Sequence, residues 1–155
     1  MKRAALINEA RSWIGTPYHH QAALKGVGCD CIGLIRGIYA AFGGVVDLPA
    51  DYSPSWHLHR AEERLRDGLD RYGTEVPLLS ARPGDILLFG IGKGPAAHGA
   101  VLIEGAVIIH AYSEAGAVIA SRPALQRALF DLIETSVPGL IDDGSGTGAI
   151  DVENL

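Results

Sequence analysis

Cysteine is scarce: the chain has two among its 155 residues, and a single residue separates them. So short a loop strains disulfide geometry, which excludes a cross-linked scaffold and leaves the reduced thiol as the reactive form. No uninterrupted apolar run approaches the length of a membrane span, so insertion into a bilayer is not expected. Met1-Lys2-Arg3 leads straight into an amphipathic pattern without a charged-then-apolar leader; the expectation is synthesis in the cytoplasm without a signal peptide. Clusters of Lys and Arg are missing too, and the formal net charge is −5, which argues against non-specific nucleic-acid binding. Any anionic polymer must therefore be recognised locally. There is no phosphate-cradling loop, no histidine pair at metalloprotease spacing and no internal repeat.

What remains is enough for one full-sized core, with 48% apolar and 20% charged residues. Residues 2–14 read as a helix with Leu6, Ala10, Trp13 and Ile14 on one side, stopped by Gly15 and Pro17. Cys31 to Phe42 reads as a second helix ending at Gly43-Gly44, and residues 59–72 as a third. Residues 45–59, with two prolines and two aromatics, form an irregular excursion that either walls a cleft or covers the core. From residue 83 the period shortens: apolar runs at 86–89, 99–103, 106–111 and 117–120 predict an antiparallel sheet with tight turns. Leu125, Leu129 and Leu132 suggest a helix over 123–133. Helices first and strands second give an α+β domain with segregated layers. The domain spans 1–138, followed by a flexible acidic, Gly-rich tail at 139–155.

The chemistry gathers at Gly26-Val27-Gly28-Cys29-Asp30-Cys31-Ile32-Gly33. Cys31 falls in the first turn of a helix, where unpaired N–H groups favour negative charge, so a lowered thiol pKa is expected. The plain alternative is that both cysteines are buried small hydrophobes. Gly33 is placed to let the helix start approach the sheet closely.

Two histidines lie in the sheet half, and the intervening turn decides their relation. A loop at 103–105 sets His98 opposite His110 on one face. A two-residue loop at 104–105 pairs 98 with 111 and sends His110 to the other face. Gly105 permits either. On one face, Cys31, His98 and His110 make a nucleophile, base and orienter. Cys29, Cys31, His98 and His110 are also zinc-ligand types, but a single intervening residue is closer than the usual cysteine spacing. No metal or cofactor is called for.

In order along the chain stand Gly15-Thr16-Pro17-Tyr18, Gly28-Cys29-Asp30-Cys31-Ile32-Gly33-Leu34, Arg82-Pro83-Gly84-Asp85-Ile86-Leu87, His98-Gly99-Ala100-Val101 and Ile109-His110-Ala111. This ordered set resembles the NlpC/P60 cysteine peptidases, more closely their phage and gene-transfer-agent branch, over residues 3 to 135. The resemblance implies a papain-like α+β core, its nucleophile helix packed on a small antiparallel sheet. It also implies hydrolysis of amide bonds in peptidoglycan stem peptides, typically between D-glutamate and a diamino acid. By this likeness Cys31 is the nucleophile, His98 the general base and His110 the third polar residue. Tyr18 serves the oxyanion or the substrate, with the Cys31 N–H a further oxyanion donor. Asp30 makes a structural or substrate-amine contact. Ile32 stands where the family usually has serine, as in the phage-like branch, and His19-His20-Gln21-Ala22 replaces two glycines. The implied partners are tail-tip or baseplate proteins, and the implied setting is a phage-like particle acting in the periplasm of a target cell. A related thiol amidase or acyltransferase, or a non-catalytic tail or murein-binding component, would share the fold.

Overall fold

A computed structural model of the chain describes residues 2–53, 64–90, 95–122 and 131–137. Helix α1 (Arg3–Ser12) buries Leu6, Ile7 and Ala10, with Trp13 buried just after it; Ile14, expected on the same side, lies beyond the helix end and is exposed. A small hairpin follows, β1 (Ala23–Leu24) paired with β2 (Gly28–Cys29). Helix α2 (Cys31–Ala40) begins directly after it and buries Ile32, Leu34, Ile35, Ile38 and Tyr39. Its stop is Gly43, whose φ of +79° is open to glycine at little cost. In helix α3 (Arg64–Asp70), Leu65 and Leu69 face the core; residues 59–63 of the helix expected there lie outside the described residues. No helix among the described residues is long and apolar enough to cross a membrane.

The remaining strands are β3 (Val76–Pro77), β4 (Ile86–Gly90), β5 (Ala96–Ile103), β6 (Val107–Tyr112), β7 (Ala117–Ser121) and β8 (Asp131–Val137). They form one antiparallel sheet in the order β3-β8-β4-β5-β6-β7. Alternation divides its side chains between two clusters. Ile86, Leu88, Val101, Ile103, Ile109, Ala111 and Val118 pack with α1 and α2 in the main core. Leu87, Phe89, Ala100 and Ile108 form a second cluster on the other face. Helix α2 lies against β5 and β6. The architecture is α+β, with helices and sheet in separate layers, as expected.

Two expectations need correction. The helix read over 123–133 fails at its end, because Asp131–Ile133 belong to β8; residues 123–130 lie outside the described residues. Strand β8 covers the edge that β4 would otherwise present, and satisfying those backbone groups outweighs a leucine spacing of helical type. The hairpin turn is neither of the two considered. Val101 pairs with Ile109 and Ile103 with Val107, so the loop is Glu104–Ala106, closed by Gly105 (φ +72°) and Ala106 (φ +56°). A non-glycine residue in the left-handed region is uncommon, which hid this turn from the sequence. The acidic tail at 139–155 lies outside the described residues.

Candidate active site

Four backbone segments converge on the start of α2. Gly15-Thr16-Pro17-Tyr18 is stitched to β7 on one side, by Gly15 N–H to the Val118 carbonyl (2.9 Å) and Val118 N–H to the Thr16 carbonyl (2.8 Å). On the other side Cys29 N–H donates to the Pro17 carbonyl (3.0 Å) and His19 N–H to the Cys29 carbonyl (3.0 Å). The segment therefore ties the edge of the main sheet to the strand that leads into Cys31. That places the half-buried Tyr18 beside the helix start. Burial first, and then the charges of Cys31, Asp30 and Cys29, push its phenol up to about 12, so it is a hydrogen-bond donor at neutral pH.

Asp30 caps α2. Its Oδ1 accepts from the Gly33 N–H at 2.8 Å, and its Oδ2 from the Gln21 N–H at 2.6 Å and the Tyr52 hydroxyl at 2.5 Å. His20 Nδ1 stands 3.6 Å from the same oxygen. A carboxylate only 1% exposed with both oxygens so engaged is structural: it holds the turn that presents Cys31 in place. Gly33 allows a close approach, but to the hairpin rather than the large sheet. A Cβ there would lie 1.8 Å from the Ala22 carbonyl oxygen.

Cys31 is half-buried, and the N–H groups of Gly99, Ile32 and Cys31 itself are directed at its sulfur. The expected lowered thiol is nevertheless not found. Burial, then the Asp30 charge, push it up to about 12 and outweigh those three donors. Cys29 is fully buried, and burial, Asp30 and Cys31 raise its thiol to about 12 as well. It is a packing residue of β2, as the plain reading of that cysteine had it.

The bond to Gly99 brings the sulfur to the residue that follows His98. His98 Nε2 lies 2.9 Å from His110 Nδ1, so the histidines share a face. They meet diagonally: continued one step, the register sets His110 opposite Ala100. His110 Nε2 in turn lies 3.0 Å from Ser121 Oγ. The Phe89 ring stands 5.9 Å from His98, and Tyr112 stacks on His110 at 5.4 Å and 26°. This apolar setting disfavours the imidazolium: burial, then His110, lowers His98 to about 3, and burial lowers His110 to about 4. Burial thus disfavours the charged forms of the thiol and of both imidazoles.

All five residues named from the sequence thus fall in one region, and three others join them. Tyr52, in the irregular excursion, is buried with Val46 and Leu48; its carbonyl accepts from His20 Nε2 and Gln21 Nε2, each at 2.7 Å. The excursion both covers the core and braces the site. Ser121 and Tyr112 complete the surroundings of His110. Ser121 had a signal in the sequence, since alternation from a Tyr112–Ala117 pairing puts it on the His110 face; Tyr52 had none. Among the described residues no group of three His, Cys, Asp or Glu side chains is placed to hold a metal ion. A cavity of about 440 Å³ lined by Leu78, Ala81, Pro83, Leu87 and Leu102 is almost wholly apolar and lies apart from these side chains.

A cysteine opening a helix that packs on an antiparallel sheet, with two histidines bonded to each other on neighbouring strands of that sheet, defines a papain-like α+β domain. The chain belongs to the NlpC/P60 family, whose sequence profile matches residues 15–129. Among solved structures it is similar to the NlpC/p60 domain of the peptidoglycan hydrolase SagA. The two are 25% identical with a TM-score of 0.62, over 88% of this chain and 98% of that one. It shares its fold with the P60 domain of the Mycobacterium avium subspecies paratuberculosis antigen MAP1204, at 22% identity and a TM-score of 0.59 over 90% and 95% of the two chains. It shares it too with RipD of Mycobacterium tuberculosis, described as a non-catalytic NlpC/p60 domain protein adapted to peptidoglycan binding (20%, TM-score 0.55, 87% and 95%).

Proposed function

We propose that the protein is a cysteine endopeptidase that cuts peptidoglycan stem peptides, at the bond between D-glutamate and the diamino acid, as part of a phage-like tail or gene-transfer particle. The observation that carries the catalytic reading is the ordered line from Cys31, through the residue pair His98-Gly99, to His110 at 2.9 Å. A binding module has no need of two buried imidazoles joined ring to ring behind a thiol. The substrate class follows from the family and from SagA's own description as a peptidoglycan hydrolase. The particle setting rests on the resemblance to the phage-like branch, in which a residue other than serine, here Ile32, often follows the nucleophile.

In this mechanism Cys31 Sγ attacks the amide carbonyl carbon while His98 Nδ1 takes the thiol proton. The carbonyl oxygen becomes an oxyanion, with the Tyr18 hydroxyl and a backbone N–H at the helix start as donors. Collapse expels the amine, which leaves with the proton from His98, and a thioester remains on Cys31. Water then attacks the thioester, its proton passing to His98, and the returning proton restores the thiol. His110 holds the His98 ring in the orientation that presents Nδ1.

The test is digestion of purified peptidoglycan by wild type and Cys31→Ala, with the released muropeptides identified by mass. Release of fragments ending in D-glutamate by wild type alone is the expected result. Equal release by Cys31→Ala rejects thiol catalysis, and tight murein binding without release by wild type makes the protein a binding module.

A further inference from the structure

The hydrogen-bonded line does not stop at His110. Each neutral imidazole carries one proton, on one nitrogen or the other. With His98 Nε2 bonded to His110 Nδ1, only two arrangements of protons satisfy that bond. In one, His98 carries its proton on Nε2 and donates it, leaving Nδ1 basic and able to receive the thiol proton. His110 then accepts at Nδ1 and must carry its own proton on Nε2. In the other, His110 donates from Nδ1, and His98 is protonated on Nδ1, where it cannot act as a base. The two arrangements differ at the far end, at Nε2 of the buried His110 ring, which carries a proton in the first and a lone pair in the second and which meets Ser121 Oγ at 3.0 Å.

We propose that Ser121 is a positioning residue of this site: by accepting a hydrogen bond from His110 Nε2, its hydroxyl sustains the proton arrangement in which His98 Nδ1 is the base, since without that oxygen the buried Nε2–H would stand unpaired. This rests on the thiol–imidazole reading given above, and it extends the site by one member beyond the third polar residue. The same acceptor keeps its use during turnover. When His98 takes the thiol proton, the positive charge is shared toward His110, whose Nε2–H already has an oxygen to receive it. Strand β7 supplies the precision: His110 pairs with Ile119, so Ser121 sits one diagonal step away on the same face, within reach of the ring edge.

The experiment uses the full chain, its histidines labelled with ¹⁵N and assigned through His98→Gln and His110→Gln. Two-bond ¹H–¹⁵N spectra read the tautomer of each ring directly. Wild type is expected to show both rings protonated on Nε2. Ser121→Ala is expected to populate the Nδ1-protonated form of both rings. It should also lower kcat on peptidoglycan roughly 2–10-fold, the worth of one neutral hydrogen bond, with KM unchanged. Ser121→Thr keeps the oxygen and is expected to restore both readouts. Unchanged tautomers in Ser121→Ala overturn the proposal even if Cys31→Ala abolishes hydrolysis. Shifted tautomers in a wild type without hydrolytic activity uphold the positioning role and reject the peptidase reading instead.

Discussion

His98 and His110 meet ring to ring, Nε2 to Nδ1, at 2.9 Å inside an apolar enclosure. The contact uses up one nitrogen of each ring and fixes which nitrogen of His98 is left for chemistry. The enclosure disfavours the charged form of both rings, and burial likewise disfavours the thiolate of Cys31. On the proposed reading, this favours a resting thiol and imidazole over a preformed thiolate–imidazolium pair.

This resting state has a measurable consequence for Cys31. With its thiol pushed up to about 12, the thiolate is a minor species through the neutral range, and its fraction rises roughly tenfold per pH unit below that value. Alkylation by iodoacetamide, followed by mass spectrometry in a Cys29→Ala background, is expected to accelerate steadily from pH 6 to pH 10 without a plateau. A rate already level below pH 7 would show a lowered thiol and a charged histidine, contrary to the burial of both His98 and His110.

What could be read from the sequence, and what could not, divides along physical lines. Cys31, Asp30 and Tyr18 stand in local motifs, where helix entry, cap and turn are set by neighbouring residues. The pairing of His98 with His110 was open, because it turned on the length of one loop. The left-handed Ala106 that settles it has no signature in composition. The state of the Cys31 thiol was misjudged for a related reason. Helix N-termini are visible in sequence, but the burial and the Asp30 charge that oppose them arise only when distant segments close over the site. Strand β8 was misread because spacing reports one segment's own preference, whereas the exposed edge of β4 is a property of the assembled sheet.

Tyr52 illustrates the same limit and can be tested. Its hydroxyl donates to the buried Asp30 carboxylate at 2.5 Å while its carbonyl takes bonds from His20 and Gln21. Tyr52→Phe keeps the ring and the carbonyl contacts and removes one hydrogen bond to a charged group, worth about 1.5–3 kcal/mol. For a chain of this length each kcal/mol shifts Tm by roughly 2–4 °C. Thermal and urea unfolding are expected to show that loss, with the urea m-value unchanged. An unaltered midpoint would mean that water replaces the hydroxyl at Asp30 without cost.

Gly33 sets two effects of opposite sign against each other. It occupies the first turn of α2, and replacing glycine by alanine within a helix favours folding by up to about 1 kcal/mol. The added Cβ, however, would lie 1.8 Å from the Ala22 carbonyl oxygen and 2.8 Å from its carbon. These are backbone atoms next to β1, which cannot swing aside as a side chain does. Overpacking of this kind costs about 1–3 kcal/mol where neighbours can yield, and more where they cannot. The clash should win, so Gly33→Ala is expected to lose about 2 kcal/mol or more in urea unfolding. It should also loosen the Asp30 cap, whose Oδ1 accepts from the Gly33 N–H. A variant as stable as wild type would show that the hairpin can retreat from the helix start. The position of Cys31 would then depend on the Gly99 and Asp30 contacts alone.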